Sequence, residues 1–378
     1  MIYYVGYYDR LRDGQFVRNV SPAAVRKMDY IIDVLCELGE KVTIVSPAIL
    51  TSLNDSADLH PSVEILKEHC TLICPPMLPI KNKRLQAINA RFARLWLKRY
   101  LLRHVKKDDV VMLYHVPILA SAIISSLDKI GYKFILEIEE VYSKVWNLSN
   151  GDRKKEALLI SRCNGNAIVV SEVLKERLGL NKALVSYGSY QTYSGPIRKK
   201  KSNTIRLVFS GGIEKTRGGA FVALNVIRKL PRNYTLTISG NIDLNSREEF
   251  LQIIQDINTE KGFLCVQYVG LLPQDQFEEM LLNSDIALNL QREGEYGGFL
   301  FPSKILTYLA YELPVVTTPG DSICKSSLCD DLFITEDYQT ETIIRTITTI
   351  DLSENHDYRS KLQIMDKEFK KMLGELLK

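Results

Sequence analysis

The chain has 378 residues, of which 46% are hydrophobic and 25% are charged, and its formal net charge is +4. This length exceeds one usual hydrophobic core, so we expect two domains. The small net charge argues against a protein that binds nucleic acid over its whole surface. No apolar run approaches the roughly 20 residues that span a bilayer. Residues 1–6 are typical of a strand and lack the basic and apolar regions of a signal peptide.

The first half of the chain alternates strands with helical segments. Ser21-Pro22 opens a helix whose apolar residues recur at helical spacing. The strands that we predict lie at 1–6, 41–45, 70–74, 109–114, 132–138, 166–171 and 183–187, with a further short element at 63–67. This alternation predicts a doubly wound parallel sheet.

A polar, basic segment at 194–203 lacks periodicity and is interpreted as an interdomain linker. A second alternating series follows it. We predict strands at 205–210, 235–239, 264–269, 286–290 and 315–318, and helices at 219–230, 247–258, 274–283, 303–312, 340–350 and 358–378. The predicted fold is α/β, with two Rossmann-like doubly wound domains that face a cleft. Their predicted ranges are 1–193 and 204–360, followed by a C-terminal helix at 361–378 that could pack back on the first domain.

The seven cysteines are scattered and lie mostly in apolar segments, which is expected of reduced thiols in a cytosolic protein. His69, Cys70 and Cys74 lack a second matching pair of ligands, so we predict no metal site. We expect no cofactor other than the substrate itself.

Two glycine-containing loops follow strands of the second series. Because parallel strands have their carboxyl ends at one edge of a sheet, both loops should open on the same edge. Glycines let backbone N–H groups face a phosphate, and lysine or arginine can add charge-assisted bonds. The residues concerned are Gly211, Gly212, Arg217 and Gly218 in the first loop, and Gly298, Pro302, Ser303 and Lys304 in the second.

Several motifs occur in order along the chain: Gly211-Gly-x4-Arg217-Gly218, Tyr268-Val-Gly270, Leu282-x-x-Asp285, and Phe301-Pro-Ser-Lys304-x3-Tyr308-Leu-Ala310-x3-Pro314. Together they resemble GT-B glycosyltransferases, and are most similar to the family 4 enzymes of bacterial surface-polysaccharide synthesis. The resemblance implies a nucleotide-sugar in the second domain and an acceptor in the first. It also implies metal-independent transfer with retention of configuration. Arg217 would hold the donor diphosphate, and Lys304 is our second phosphate-binding candidate.

The chain departs from this family at three positions. Gly212 stands where the family usually has an arginine, and Phe299 and Thr307 stand where it has two glutamates. Because the second of these glutamates ordinarily contacts the ribose, Thr307 is included in the predicted donor site. Glu293 or Glu295 in the same loop is our candidate for a substitute ribose contact.

Activation of an acceptor hydroxyl requires a carboxylate or histidine at a strand end of the first domain. Glu139 and Glu140 follow the strand at 132–138, and His115 follows the strand at 109–114. Successive residues of a strand point to opposite sides, so one glutamate should face the cleft, and we favour Glu140. A solvated acidic turn is the alternative. Asp9 and Arg10 are candidates for contact with the acceptor.

Residues 81–107 carry ten lysines and arginines and no acid. Apolar side chains, including Trp96, interleave with them at roughly helical spacing. A basic amphipathic helix of this kind suggests an anionic membrane surface. A solvated helix packed on the sheet is the alternative, and the absence of an RNA-reading element argues against nucleic acid. We therefore predict a cytoplasmic protein, peripheral at the inner face of the membrane, that acts on a lipid-linked acceptor.

The predicted function is transfer of a sugar from a nucleotide-sugar to a glycan, and two alternative functions remain open. In the first, the chain has kept the fold and lost catalysis, and serves as a partner subunit. In the second, it is a sugar-nucleotide epimerase of the same two-domain fold.

Overall fold

The computed structural model describes residues 1–12, 16–50, 61–77, 83–145, 149–197, 203–216, 218–294, 298–354 and 356–378. The chain forms two compact units. The first unit comprises Met1–Val170, Lys175–Ser189 and Glu368–Lys378, and the second comprises Ser171–Leu174 and Tyr190–Lys367.

The first unit contains an eight-stranded sheet. Its strands are β1 (Ile2–Val5), β2 (Val42–Val45), β3 (Ser62–Lys67), β4 (Cys70–Cys74), β5 (Val110–Tyr114), β6 (Lys133–Ile138), β7 (Ala167–Val169) and β8 (Leu184–Val185). They lie in the order β3-β4-β2-β1-β5-β6-β7-β8. All neighbouring strands are parallel except the edge strand β3, which is antiparallel to β4. Only Glu68 and His69 connect β3 to β4, and two residues can join antiparallel strands but cannot form a crossover.

Helices cover the strands of the first sheet. They are α1 (Pro22–Glu37), α2 (Lys83–His104), α3 (Ala120–Ile130), α4 (Tyr142–Val145), α5 (Asn150–Arg162) and α6 (Glu172–Arg177). In α1, Pro22 occupies the first turn, and the predicted apolar stripe from Val25 to Leu35 is buried.

The second unit contains a six-stranded sheet in which every pair is parallel. Its strands are β9 (Ile205–Ser210), β10 (Tyr234–Ser239), β11 (Val266–Gly270), β12 (Ile286–Asn289), β13 (Val315–Thr317) and β14 (Phe333–Ile334). Its helices are α7 (Gly219–Lys229), α8 (Arg247–Lys261), α9 (Gln274–Leu282), α10 (Lys304–Ala310), α11 (Asp321–Cys324), α12 (Thr340–Thr348) and α13 (Tyr358–Leu377). The prediction of two doubly wound α/β sheets is therefore confirmed.

The strand order in the second sheet is β11-β10-β9-β12-β13-β14. The chain first builds outward from β9 through β10 to β11, and then returns to the other side of β9 with β12. Such a reversal opens a crevice at the carboxyl ends of the two central strands, which is the usual ligand site of an open α/β sheet. The loops that follow β9 and β12 are the two glycine-containing loops that we singled out.

An ion pair at the opposite edge fixes β12 beside β9. The backbone amide, Nε and Nη2 of Arg206 donate to the carboxylate of Asp285 at 2.8, 2.8 and 2.7 Å. Arg206 lies near the start of β9, and Asp285 immediately precedes β12. The Asp285 of the sequence motif thus aligns the two central strands, because a bidentate guanidinium–carboxylate pair is geometrically specific.

Glu312 organises the start of α13. Its carboxylate accepts hydrogen bonds from the amides of Tyr358 and Arg359 at 2.9 and 3.1 Å and from Arg359 Nε at 3.0 Å. Arg359 Nη1 donates in turn to the carbonyl oxygens of Tyr193 and Gly195. An acidic side chain at a helix N-terminus satisfies amides that lack partners within the helix. Glu312 also has a φ of 55°, which is uncommon for a residue with a side chain.

The last part of α13 packs within the first unit. Phe369 stacks on Tyr30 of α1 with ring centroids 5.7 Å apart, and Lys370 forms an ion pair with Glu37 at 2.7 Å. One helix therefore contributes residues to both units.

We expect Glu312→Gln to lower the stability of the second unit by about 2 kcal/mol, because an amide group would then face one of the donors. This corresponds to a Tm lowered by roughly 4–8 °C in scanning calorimetry. Glu341→Gln is the matched control, because Glu341 forms an exposed ion pair with Lys229, and exposed ion pairs contribute little to stability. An equal Tm for both variants would contradict the capping role of Glu312.

Candidate functional site

The candidate site lies at the carboxyl ends of β9 and β12. The loop after β9 is described except for Arg217, and the loop after β12 is described except for residues 295–297. Two predicted donor residues, Arg217 and Glu295, therefore lie outside the described residues. The remaining ones can be placed.

Two side chains of α10 hold the last residue of β9. The amide of Ser210 donates to the hydroxyl of Tyr308 at 2.8 Å, and the two hydroxyls lie 2.9 Å apart. Lys304 Nζ donates to the carbonyl oxygen of Ser210 at 3.3 Å. Burial raises the pKa of Tyr308 to about 12, so this hydroxyl stays protonated. The backbone N–H, the backbone carbonyl and the hydroxyl of Ser210 all contact one short helix, and β9 and α10 are fixed together.

Lys304 and Gly211 come together at this point. The Lys304 ammonium lies 4.0 Å from the ring centroid of Phe209 and 3.9 Å from the position that a Cβ on Gly211 would occupy. A cation over an aromatic face is stabilised by the ring quadrupole. Lys304 is therefore held at the first residue of the glycine loop.

Gly218 and Gly219 allow the chain that leaves β12 to pass directly over the start of α7. Gly218 has a φ of 65°, and a Cβ there would lie 2.5 Å from the side chain of Arg292. A Cβ on Gly219 would overlap the carbonyl oxygen of Leu290. We expected these glycines to admit a phosphate, and the structure shows that they also admit a neighbouring backbone.

Gly240, which the sequence reasoning missed, has a similar role after β10. Its φ is 145°, and a Cβ there would overlap the carbonyl oxygen of Gly211. The hydroxyl of Tyr268 donates to the carbonyl oxygen of Gly240 at 2.8 Å, and the Gly240 amide donates to Gly270 at 2.9 Å. The Tyr-Val-Gly motif therefore supports the glycine loop from the neighbouring strand. The available signal was a Ser-Gly pair at the end of a predicted strand.

The other predicted donor residues lie around these contacts. Gly212 and Gly298 have open space where a Cβ would be. The carbonyl oxygen of Pro302 accepts from the Ile305 amide at 2.9 Å at the start of α10, and the exposed Ser303 makes no side-chain capping bond. Thr307 is half-buried on α10, three residues after Lys304, so the two side chains lie on the same face of the helix.

In the first unit, Glu139 belongs to a buried charged cluster at the carboxyl end of β6. Lys27 of α1 forms an ion pair with Glu139, donates to the carbonyl oxygen of Ser186 at 3.1 Å, and lies 3.6 Å from Glu137. The Tyr4 hydroxyl donates to the other oxygen of Glu137. Burial raises the pKa of Glu137 to about 7, against the lowering effect of Lys27. The sequence reasoning missed Glu137 and Lys27, although a lone acid within an apolar strand was a signal.

His115 and Glu140 meet through the Glu140 backbone. His115 is fully buried, and its Nδ1 lies 3.0 Å from the carbonyl oxygen of Glu140. Its Nε2 lies 3.6 Å from the carboxylate of Glu156, which accepts from the amides of Tyr142 and Ser143 at 2.8 and 2.9 Å. Burial lowers the pKa of His115. The imidazole thus supports the turn after β6, and the Glu140 side chain is half-buried beside it.

Asp9 organises the loop after β1. It is buried, and its carboxylate accepts from the amides of Arg10, Val17 and Arg18 at 2.9, 2.8 and 2.7 Å. Arg10 is exposed and pairs with Glu64 at 3.1 Å. The Asp9 carboxylate also pairs with Arg12 Nη1 at 3.3 Å. The structure therefore places Arg10 on the surface and engages Asp9 within its own loop.

Within the part of the chain that the structure describes, no group of three or more His, Cys, Asp or Glu side chains is arranged to hold a metal ion. The seven cysteines are free thiols. None of the described helices is long and apolar enough to cross a membrane.

We expect Gly219→Ala to destabilise the protein by about 1–3 kcal/mol, because the new Cβ would overlap a backbone atom that cannot move independently. Gly212→Ala is the matched control from the same loop: its Cβ would enter open space, and we expect a change within about 0.5 kcal/mol. Calorimetric Tm values for both variants test the close approach. A wild-type Tm for Gly219→Ala would rule out that packing.

No family model and no curated protein matches the sequence. Solved structures do. A trehalose-6-phosphate protein from E. coli bound with UDP-2-fluoro glucose is similar at TM-score 0.65 and 10% identity, over 100% of this chain and 99% of that one. HepE from Anabaena, in complex with UDP and glucose, is similar at TM-score 0.61 and 12% identity, over 97% and 94% of the two chains.

A glycosyltransferase from Rickettsia africae is similar at TM-score 0.61 and 16% identity, over 100% of this chain and 98% of that chain. These identities are low, but the similarity covers nearly the whole length of both chains. The GT-B resemblance that the motifs indicated is therefore confirmed at the level of the fold: the chain has the two Rossmann-like domains of GT-B glycosyltransferases.

Proposed function

We propose that this protein is a glycosyltransferase that moves a sugar from a nucleotide-sugar donor to a glycan acceptor. The observation that carries the proposal is the placement of Lys304. Its ammonium is held at Ser210 and Gly211, at the point where the strand order of the second sheet reverses. The similar solved structures support it, since two of them contain UDP or a UDP-sugar.

On the donor side, Lys304 stabilises the diphosphate as it becomes the leaving group. A cation that is already fixed before the reaction needs no reorganisation as negative charge develops. Arg217 supplies a second positive charge, and Gly211, Gly212 and Gly218 permit close approach of the phosphates. In the second loop, Gly298, Pro302 and Ser303 line the site, and Thr307 and Glu295 contact the ribose.

On the acceptor side, Glu139 replaces Glu140 as our candidate of first choice, because the ion pair with Lys27 holds the Glu139 carboxylate in place. Its side chain is 20% exposed, whereas that of His115 is fully buried. The ion pair with Lys27 fixes one carboxylate oxygen, and the second can accept a hydrogen bond from an acceptor hydroxyl. Arg10, placed on the surface by the Asp9 loop, contacts the acceptor. Transfer proceeds without a metal and with retention of configuration.

The α2 helix supports attachment to an anionic membrane and hence a lipid-linked acceptor. Ile88, Phe92 and Leu95 are 52%, 42% and 57% exposed. They recur at intervals of four and three residues, so they share one face of the helix. From residue 86 to the end of this helix, where the side chains are described, the exposed cations are Arg91, Arg99 and Arg103. A helix that exposes apolar and basic side chains together can lie in the interface of an anionic bilayer.

We expect Lys304→Met to raise the Kd for the donor by roughly 10- to 150-fold, since it removes one charge-assisted contact of about 1.5–3 kcal/mol. A thermal-shift screen of UDP-, GDP- and dTDP-sugars identifies the donor, and calorimetric titration then gives the Kd. Arg217→Ala should weaken binding in the same way. Lys229→Met, on an exposed ion pair at the far end of α7, is the matched control and should bind like the wild type.

The products decide between this function and its alternatives. Transfer of sugar to a membrane-lipid fraction, or slow donor hydrolysis, supports the glycosyltransferase. Nucleotide binding without either reaction would favour a partner subunit, and release of an epimerised free sugar would favour an epimerase. If the wild type bound none of the nucleotides, the enzyme proposal would fail.

We expect the protein to float with vesicles that contain phosphatidylglycerol, and to do so less at high salt because salt screens the basic helix. Replacing both Phe92 and Leu95 by serine should abolish flotation by removing the apolar face. Leu244→Ser is the matched control, because Leu244 is 82% exposed but lies in the second unit. A wild type that ignored these vesicles would refute the membrane proposal.

A further inference from the structure

Arg292 is a cation at the donor edge that the sequence motifs did not single out. It follows β12 after Leu290 and Gln291. Leu290 is buried, and the Gln291 amide donates to the Thr318 hydroxyl at 3.0 Å. Because Thr318 directly follows β13, the backbone before Arg292 is fixed by the neighbouring strand. Its side chain therefore begins at a defined place on the carboxyl edge of the sheet.

The Arg292 side chain crosses from β12 to the loop after β9. Its Cδ and Nε lie 2.5 Å from the position that a Cβ on Gly218 would occupy. Its Nη1 donates to the carbonyl oxygen of Lys215 at 3.4 Å. Gly218 is thus required twice, once for its left-handed φ and once because any side chain would displace Arg292.

The cations around this loop differ in their partners: Lys215 pairs with a carboxylate, and Arg292 contacts a carbonyl oxygen. The Lys215 ammonium forms an ion pair with Glu249 of α8. Among the residues that the structure describes, the only polar contact of the Arg292 guanidinium is the Lys215 carbonyl oxygen, and no carboxylate neutralises it. At the other end of the same loop, Lys304 contacts Ser210 and lies beside Gly211. Lys304 therefore lies beside Gly211 at one end of the loop, and Arg292 lies beside Gly218 at the other.

We propose that Arg292 binds the diphosphate of the donor together with Lys304, an inference that rests on the proposed function. A guanidinium presents five N–H donors in a planar fork that matches phosphate oxygens bidentately, whereas an ammonium acts as a point charge. Among the residues that the structure describes, the single weak bond to Lys215 leaves most of these donors available.

The test compares the wild type with Arg292→Met and Arg292→Lys by calorimetric titration with UDP, GDP and dTDP. Methionine keeps an apolar stem over Gly218 and removes the charge; lysine keeps the charge and removes the fork. For the nucleoside diphosphate that binds the wild type, we expect Arg292→Met to raise the Kd roughly 10- to 100-fold. The Kd of Arg292→Lys should lie between those of the wild type and Arg292→Met. The Kd of the corresponding nucleoside, measured by competition, should stay within about twofold of the wild-type value in both variants, because the nucleoside lacks the diphosphate.

Arg228→Met is the matched control. Arg228 lies near the end of α7 and forms an ion pair with Glu260 of α8, so this variant should bind the nucleoside diphosphate like the wild type. A Kd within about twofold of the wild type for Arg292→Met, with the Tm unchanged, would overturn the inference and leave the proposed function standing if Lys304→Met still weakened binding. An equal loss for the nucleoside would show that Arg292 only shapes the site, which also overturns the inference. If the wild type bound no nucleoside diphosphate, the proposed function itself would fail.

Discussion

The contact between Ser210 and α10 is the interaction on which the candidate site depends. Ser210 ends the central strand β9, and Tyr308 and Lys304 bind its amide, hydroxyl and carbonyl oxygen. These contacts join residues nearly a hundred positions apart, and the hydrogen bonds to Tyr308 are buried, where unpaired polar groups are costly. These contacts hold α10 against β9 and so fix Lys304. The described chain after β12, from Leu290 to Arg292, passes over the start of α7, and the position of Arg292 follows from that path.

The glycines around the site are explained by this path as much as by a ligand. Gly219 faces the carbonyl oxygen of Leu290, Gly240 faces that of Gly211, and Gly218 faces Arg292. Each allows two chain segments to approach more closely than a Cβ permits. Close packing of this kind fixes the segments from which the cations extend, and charges that are positioned in advance stabilise a leaving group. Both the packing and the proposed chemistry therefore require a residue without a Cβ at these positions.

The two units use charge in different ways. In the second unit, cations stand at the edge of the sheet with backbone carbonyls as partners. In the first, Lys27 is buried between Glu137 and Glu139, and burial raises the pKa of Glu137. A buried lysine between two carboxylates links α1 to β6, because separating either partner would leave an uncompensated charge. Glu139 is held by this cluster and still reaches the surface, which is why it is preferred to His115 as the acceptor-side residue.

Periodicity and strand–loop–helix order are local properties, and they were enough to predict the two doubly wound sheets, the first helix and the loops of the donor edge. A motif also pointed to Lys304 and Tyr308, although not to the contacts that they make. The folded chain was needed to show that Tyr308 binds Ser210, that Asp9 and His115 are buried, that Lys27 pairs with Glu139 near Glu137, and that Arg292 lies beside Gly218. These facts depend on contacts between residues far apart in the chain, and neither spacing nor composition records which side chains of different strands and helices meet.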